Sequence, residues 1–266
     1  MNVLERIVGE TREELRTTRL DRAAIERGAR ERSAGSETHR FRAALERGGE
    51  RDARIIAEIK AASPSAGTIV AGPDVESIAA AYRDGGAAAV SVVTEPRHFN
   101  GTRDWLARAS STLGLPVIMK DFVVDPIQIF RGVAAGADAV LLLASILDAS
   151  QLRDFIAITD ELGRDALVEV HDERELDIAI EGGALMIGVN NRNLRDFSVD
   201  LGTSERLGAR IPDGALRVTE SGIHTRADVE QLLRSGFRAF LVGESLLRQS
   251  DRAAGVRRLR GEEARA

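Results

Sequence analysis

The sequence contains no cysteine, so neither disulfides nor thiolate metal sites can form. Its four histidines are scattered without the spacing of metal ligands, and we predict no metal site. The longest apolar run, Ala139 to Ala144, has the length of a strand and is too short to span a membrane. Residues 1–20 are polar and charged, which argues against a secretory signal. We therefore expect a soluble cytoplasmic protein without a membrane partner.

An excess of positive charge is also missing. The formal net charge is −5, whereas nucleic-acid binding generally needs a basic face. We expect no nucleic-acid partner. An anionic small molecule would have to be bound by donors that are placed locally.

Lysine is the scarcest charged residue. Of the 37 basic residues only Lys60 and Lys120 are lysines, and the other 35 are arginines. Arginine can take ordinary solvated positions, but its permanently charged, planar guanidinium cannot replace a compact ammonium with a tunable pKa. Both lysines also end apolar, strand-like runs, Ile55–Lys60 and Pro116–Lys120. This placement predicts that the two lysines belong to an active site.

A regular alternation of strands and helices begins near residue 54. Short β-rich runs are each followed by a helical stretch, and pairs such as Gly86–Ala87 are typical of a helix end that leads into the next strand. The predicted strands are residues 55–60, 88–94, 116–120, 138–143, 166–170, 185–189, 216–219 and 238–242. Apolar strands in this alternation indicate a parallel sheet. Eight units favour an α/β fold, the (β/α)8 TIM barrel. A doubly wound sheet is the alternative, but no Gly-x-Gly-x-x-Gly follows the first strand.

The residues before the first strand are predicted to form a helical extension. An apolar stripe over residues 3–8 continues into charged helical turns through Arg32, a break is expected at Ser33–Ser36, and a second helix is expected around His39–Arg47. We expect residues 1–266 to form a single barrel domain with residues 1–48 as its N-terminal extension.

The chemistry of such barrels lies at the C-terminal ends of the strands. Glu58 and Lys60 are two residues apart in a strand, so both side chains point into the barrel; a structural ion pair is the alternative interpretation. Glu169 lies in an apolar strand, where burial is expected to raise its pKa and to suit a general base. A satisfied interior acid is the alternative. We interpret His171 as a loop residue, and a place behind Glu169 is the alternative.

Three loops have the composition of phosphate sites. Residues 219–223 and 242–245 follow the last two predicted strands, where barrels often bind phosphate through backbone N–H groups, and residues 63–67 follow the first. Each Gly-Ser loop alone is a weak signal, but their joint placement predicts a phosphorylated ligand.

The segment Ile56–Ser65 resembles the first-strand signature of the indole-3-glycerol phosphate synthase family. Further motifs are similar to those that the family carries at later strands, namely Phe99–Thr102, Lys120–Val123, Val168–His171, Gly188–Leu194 and Glu220–Ile223. The resemblance covers nearly the whole chain. The N-terminal helices also resemble the family's extension, which packs over the mouth of the barrel.

The resemblance implies a carboxy-lyase of tryptophan biosynthesis. The reaction would close the ring of 1-(2-carboxyphenylamino)-1-deoxyribulose 5-phosphate to give indole-3-glycerol phosphate, CO2 and water. The resemblance implies Lys120 as the acid that protonates the ketone and Glu169 as the base of the dehydration. Lys60, oriented by Glu58, would hold the substrate carboxylate or act as the second acid. The division of the acid roles between the two lysines stays open.

The resemblance also implies the remaining site residues and no cofactor or metal. Asn190 would belong to the catalytic set; Phe99, Phe122, Arg192, Leu194 and Glu220 would bind the substrate; Ser63, Ser221, Gly222, Gly243 and the Glu244 backbone N–H would bind its phosphate. The partner is thus a small molecule with a carboxylate and a phosphate. A monomer is compatible with the sequence, and docking to other enzymes of the pathway stays open.

Some positions depart from the family pattern. Ala61 and Ala66 stand where the family usually carries basic residues, and Glu244 stands where some members carry serine. The Glu244 carboxylate would repel a phosphate unless it points away. Two other functions stay open: a phosphosugar aldolase that forms a Schiff base on Lys120 or Lys60, and a paralogue that binds a phosphorylated ligand without turnover.

Overall fold

The computed structural model describes residues 3–49, 52–193 and 196–262. Helices α1 (Val3–Thr17), α2 (Arg22–Ser33) and α3 (Arg40–Glu46) precede the first barrel strand. The expected continuous helix through Arg32 is wrong, because the chain breaks between α1 and α2. Asp21 caps α2 there, and its side chain accepts a hydrogen bond from the backbone N–H of Ala24 at 3.0 Å. A short acidic side chain before a helix is a common start signal, so the break was encoded locally.

Eight parallel strands close into a barrel, which confirms the predicted fold. They are β1 (Arg54–Ile59), β2 (Ala89–Val93), β3 (Val117–Lys120), β4 (Ala139–Leu143), β5 (Asp165–Val170), β6 (Met186–Asn190), β7 (Leu216–Glu220) and β8 (Ala239–Val242). Each strand pairs with its neighbours in the chain, and β1 pairs with β8 in the register Arg54 to Ala239. The predicted strands differ from these by at most one residue at each end.

Helices follow the strands and cover the outside of the barrel. They are α4 (Val75–Asp84), α5 (Asp104–Leu113), α6 (Pro126–Ala134), α7 (Ala149–Glu161), α8 (Glu173–Glu181), α9 (Gly202–Gly208), α10 (Arg226–Arg234), α11 (Glu244–Leu247) and α12 (Arg252–Arg260). Many begin at an Asp or Thr whose side chain accepts a backbone N–H, as Asp125 does before α6 and Thr225 before α10. These caps fix where each loop at the C-terminal end of the barrel stops.

Alternation along the strands divides the apolar residues into two cores. Side chains such as Ile55 and Ile59 point outward and pack against the helices. Their neighbours, including Ile56, Ile118 and Leu167, fill the barrel interior. Because successive side chains of a strand point to opposite faces, Glu58 must point inward with Ile56, as the sequence predicted.

Helix α3 closes the N-terminal end of the barrel. Its Phe41 and Leu45 are fully buried and belong to the interior core rather than to the outer one. The helix is fixed at Asp165, the first residue of β5, which accepts a hydrogen bond from the backbone N–H of Arg42 at 2.9 Å. The opposite, C-terminal end of the barrel is therefore the end that opens.

A two-stranded hairpin, Ala62–Ser63 with Gly67–Thr68, follows β1 at the open end. Within the described ranges no helix is long and apolar enough to cross a membrane.

Candidate active site

A cavity opens at the C-terminal ends of the strands. Every predicted site residue that the structure describes lines it: Glu58, Lys60, Ser63, Phe99, Lys120, Phe122, Glu169, Asn190, Arg192, Glu220, Ser221, Gly222, Gly243 and Glu244. Leu194, the remaining prediction, lies outside the described residues. Val3, Leu4 and Ile7 of α1 line the same cavity, so this helix lies at its mouth as the resemblance implied, whereas α3 of the same extension lies at the opposite end of the barrel.

Lys60 and Glu58 form an ion pair at the end of β1. The Lys60 Nζ lies 2.5 Å from Glu58 Oε1, and the Glu58 side chain is almost completely buried. The pair lies against Gly243 after β8, where a Cβ would come within 3.1 Å of Lys60 Nζ and closer still to the Glu58 carboxylate. A side chain at 243 would displace the ends of both side chains, so this glycine leaves room for the ion pair in its present position.

Lys120 lies between two buried carboxylates. Its Nζ donates to Glu169 Oε2 at 2.8 Å and to Glu220 Oε2 at 2.9 Å. Burial opposes a positive charge, but the two carboxylates outweigh it and raise the pKa of Lys120 above its ordinary value. Lys120 is thus an ammonium at neutral pH.

Both oxygens of Glu169 have partners. In addition to the Lys120 contact, Oε1 accepts a hydrogen bond from Asn190 Nδ2 at 3.0 Å, and His171 Nε2 lies 3.2 Å from it. The sequence-based expectation of a raised pKa is wrong. Burial acts in that direction, but the Lys120 ammonium and His171 lower the pKa of Glu169 well below its ordinary value. His171 lies in the loop after β5, as interpreted from the sequence, and it also stands beside Glu169, which was the alternative.

Glu220 is the carboxyl group whose pKa rises. Burial, reinforced by the neighbouring Glu169 charge, raises its pKa to about 7 despite the contact with Lys120. Two carboxyls on either side of one ammonium are therefore unequal: Glu169 stays ionised while Glu220 titrates near neutral pH. Paired carboxyls with separated pKa values are a common arrangement in acid–base catalysis.

Two aromatic rings form one wall of the cavity. The centroids of Phe99 and Phe122 are 6.1 Å apart and the rings are tilted by 43°. Phe122 follows β3 directly, whereas Phe99 lies in the loop after β2. Glu95 organises this loop, because its carboxylate accepts the backbone N–H groups of Arg97, His98 and Phe99 at 2.7–3.0 Å. An aromatic ligand would pack between these rings and the aliphatic side chains of α1.

The loop after β7 has backbone suited to an anion. Ser221 has φ 65° and Gly222 φ 78°, and successive N–H groups in such a turn point into one concavity. A serine in the left-handed region is uncommon and is held by its surroundings. Asn191 supplies that support, since its Nδ2 donates to the carbonyl oxygens of Glu220 and Ser221 at 3.0 and 3.1 Å. The Glu244 side chain is bound by Arg248 at 2.9 Å.

The model of the indole-3-glycerol phosphate synthase family matches residues 4–259. The chain belongs to this family. Among its relatives, the indole-3-glycerol phosphate synthase of Chlorobium luteolum is 46% identical over 246 residues, which cover 92% of this chain and 93% of the relative. That of Koribacter versatilis is 45% identical over 249 residues and covers 92% and 96%.

Solved structures with low identity share the fold. The tryptophan synthase α subunit of Legionella pneumophila superposes with a TM-score of 0.62 at 14% identity and covers 84% of this chain and 98% of its own. At this identity the similarity concerns the barrel alone.

Several residues in or next to this site were not predicted from the sequence. Phe197 lines the cavity with φ 61°, and its carbonyl accepts a hydrogen bond from Arg192 Nη1 at 3.1 Å. No sequence pattern around Phe197 indicates that it lines the cavity. Asn191 and Glu95 could have been found from their places at strand ends. In the described part of the chain, no group of three or more His, Asp or Glu side chains is arranged to hold a metal ion.

Proposed function

We propose that the protein is an indole-3-glycerol phosphate synthase, which converts 1-(2-carboxyphenylamino)-1-deoxyribulose 5-phosphate to indole-3-glycerol phosphate, CO2 and water. The observation that carries the proposal is the Lys120 ammonium, held between Glu169 and Glu220 at the base of a cavity with an aromatic wall. The turn at Ser221 and Gly222 would receive the phosphate, and the Phe99–Phe122 pair would contact the anthranilate ring.

Ring closure begins with Lys120. The ammonium donates a proton to the ketone oxygen of the substrate, which makes the carbonyl carbon electrophilic. The aromatic carbon that bears the carboxylate attacks this carbon and forms the new C–C bond. The C–CO2 bond then breaks, and its electron pair restores the aromatic ring as CO2 leaves. Lys60, paired with Glu58 at the cavity wall, holds the carboxylate until that step.

Dehydration completes the indole. The hydroxyl formed from the ketone leaves as water with a proton from an acid, while Glu169 removes a proton from the adjacent CH2 group. The lowered pKa of Glu169 makes it a weak base as long as Lys120 is charged. Once Lys120 has given its proton to the ketone, the nearest positive charge is gone and the carboxylate becomes a stronger base. Because the loss of the Lys120 proton strengthens the base, ring closure would precede dehydration.

The Schiff-base aldolase is the competing enzyme class. A Schiff-base lysine must be neutral to attack a carbonyl, and its pKa is usually lowered by desolvation or a nearby cation. The pKa of Lys120 is raised instead, and two carboxylates occupy its donors. Borohydride added with the substrate should therefore leave no covalent adduct on Lys120 or Lys60; a stable adduct would favour the aldolase.

The test of the proposed function is the appearance of indole fluorescence when the purified protein is given the carboxyphenylamino deoxyribulose phosphate. We expect turnover in the native chain and a loss of roughly 100- to 10,000-fold in Lys120→Arg, because arginine keeps the charge but cannot act as an acid near neutral pH. Near-normal turnover in this variant would contradict the role of Lys120. Substrate binding without turnover in the native chain would favour the non-catalytic paralogue.

A further inference from the structure

His171 lies directly beside Glu169. It directly follows β5, its side chain is only 12% exposed, and its Nε2 lies 3.2 Å from Glu169 Oε1. Glu169 lines the cavity, whereas His171 is not among the residues that line it. Any influence of His171 on the reaction must therefore act through Glu169.

The ring of His171 is fixed from behind by Glu175 of α8. Glu175 Oε2 lies 2.9 Å from His171 Nδ1 and also accepts the backbone N–H of His171 at 2.8 Å. Glu175 is in turn placed by the helix cap, because Asp172 accepts its backbone N–H at 2.9 Å. The cap of α8, Glu175, His171 and Glu169 thus lie in one line from the outer helix to the cavity; the last contact, between His171 Nε2 and Glu169 Oε1, is an ion pair at 3.2 Å and not a hydrogen bond.

We propose that His171, held by Glu175, is a positioning residue that places a positive charge beside the Glu169 carboxylate and keeps it ionised for the base step. The inference deepens the proposed function, since it assumes that Glu169 is the base. Asn190 donates to the same Glu169 oxygen, so orientation alone would not require a histidine. The specific contribution of His171 is a second positive charge.

The charges around the two residues support this role. Burial opposes protonation of His171, but Glu169 and Glu175 outweigh it and raise the pKa of His171 to about 10. An imidazolium therefore stands beside Glu169 at neutral pH. The other charged groups that face Glu169 are Lys120 from β3 and, beyond it, Glu220 from β7.

Glu58 from β1 also affects the charged groups around Glu169, because its carboxylate raises the pKa of Lys120 and of Glu220. When Lys120 transfers its proton to the ketone, His171 is a cation that stays. It prevents Glu169 from being neutralised before the dehydration and thereby sets the strength of the base.

The kinetic test uses His171→Asn, which removes the charge but keeps a polar side chain. We expect the acidic limb of kcat/KM to move up by about one pH unit, because the carboxylate loses one of its two cations. KM should stay within about twofold of the native value, since His171 does not line the cavity.

A matched control exists at the opposite end of the barrel. His39 also lies between two acids, with Nδ1 at 3.0 Å from Asp165 and Nε2 at 3.6 Å from Asp160, and its φ of 50° suits asparagine. His39→Asn should alter thermal stability without moving the pH profile. The proposal would be overturned if the two histidine variants lose the same stability and His171→Asn keeps the pH profile of the native protein.

A second measurement does not depend on turnover. The side-chain carboxyl of Glu169 can be followed by carbon NMR as the pH is changed, with Glu169→Gln for assignment. We expect its titration midpoint to rise in His171→Asn relative to the native protein. An unchanged midpoint would overturn the proposal. A raised midpoint in a protein that fails to make the indole product would instead leave the positioning intact and refute the proposed function.

Discussion

At the scale of single residues, Glu244 shows how a carboxylate can be placed next to the proposed phosphate site. The side chain lies at the start of α11 and lines the cavity, yet both Nε and Nη2 of Arg248, one turn later, lie 2.9 Å from its Oε1. Arg248 neutralises the Glu244 carboxylate and holds it towards the next turn of the chain. The repulsion expected from the sequence is thereby relieved by a residue four positions away.

The pair can be tested with a double-mutant cycle. We expect Arg248→Ala to raise KM by about two- to fivefold, because both side chains are at least a third exposed and such pairs are weak. In a Glu244→Ser background the same change should have no effect on KM. An equal effect in both backgrounds would mean that Arg248 contacts the substrate itself.

At the scale of elements, the loop between β2 and α5 depends on one carboxylate. Glu95 is 4% exposed and accepts three consecutive loop amides, the last of which belongs to Phe99. A buried acceptor with several donors fixes the backbone more firmly than any single contact in an exposed loop. The position of the Phe99 ring at the cavity wall follows from this arrangement.

Glu95→Gln should therefore weaken substrate binding. Loss of charge-assisted hydrogen bonds, each of about 1.5–3 kcal/mol, predicts a rise in KM of roughly tenfold or more with a smaller change in kcat. In a Phe99→Ala background the substitution should cost much less, because the ring that it positions is gone. Additive effects of the two substitutions on KM would show that Glu95 acts elsewhere.

The barrel elements were predictable because each strand is buried on both faces. Such a strand appears as a continuous apolar run, and Gly86–Ala87 and similar pairs mark its start. The break before α2 was missed because the charged turns on both sides have helical composition, and only Asp21 distinguishes the cap from the helix interior. A single capping side chain outweighed the average propensity of its neighbours.

At the scale of the whole molecule, stability and activity are separated along the barrel axis. Phe41→Ala should lower the free energy of unfolding by about 3–5 kcal/mol, because a fully buried aromatic ring is removed from the interior core. KM should not change, since α3 lies at the end opposite the cavity. Urea unfolding and steady-state kinetics would check the two expectations.

Leu4→Ala offers the reverse case, since Leu4 lines the cavity from α1. It should raise KM while leaving the free energy of unfolding closer to the native value than Phe41→Ala does. A large rise of KM in Phe41→Ala would contradict the separation.

The buried Glu220 carboxyl group makes the stability of the protein depend on pH. Glu220 has a pKa of about 7 in the folded protein, above its ordinary value of 4.5. The folded state therefore binds more protons than the unfolded state between these values, and the free energy of unfolding falls as the pH rises from about 4.5 to 7. Glu220→Gln should flatten this part of the profile in urea titrations. An unchanged slope would mean that Glu220 does not titrate in this window.

The positions of the catalytic candidates followed from the sequence, but their protonation did not. Lys60, Lys120 and Glu169 lie at strand ends that a barrel must bring together. The pKa of Glu169 depends on side chains from β3 and on His171 in the next loop, whose orientations arise only in the folded structure. For this reason burial alone predicted the wrong direction.

The interior core also constrains the order in which the chain can fold during synthesis. Phe41 and Leu45 are made before any strand, yet the core to which they belong extends to Ala239 and Leu241 of the last strand. The barrel closes only when β8 pairs with β1. A ribosome-bound chain that ends before β8 therefore has an incomplete interior core, so apolar surface of the open barrel needs protection from aggregation until synthesis has passed residue 242.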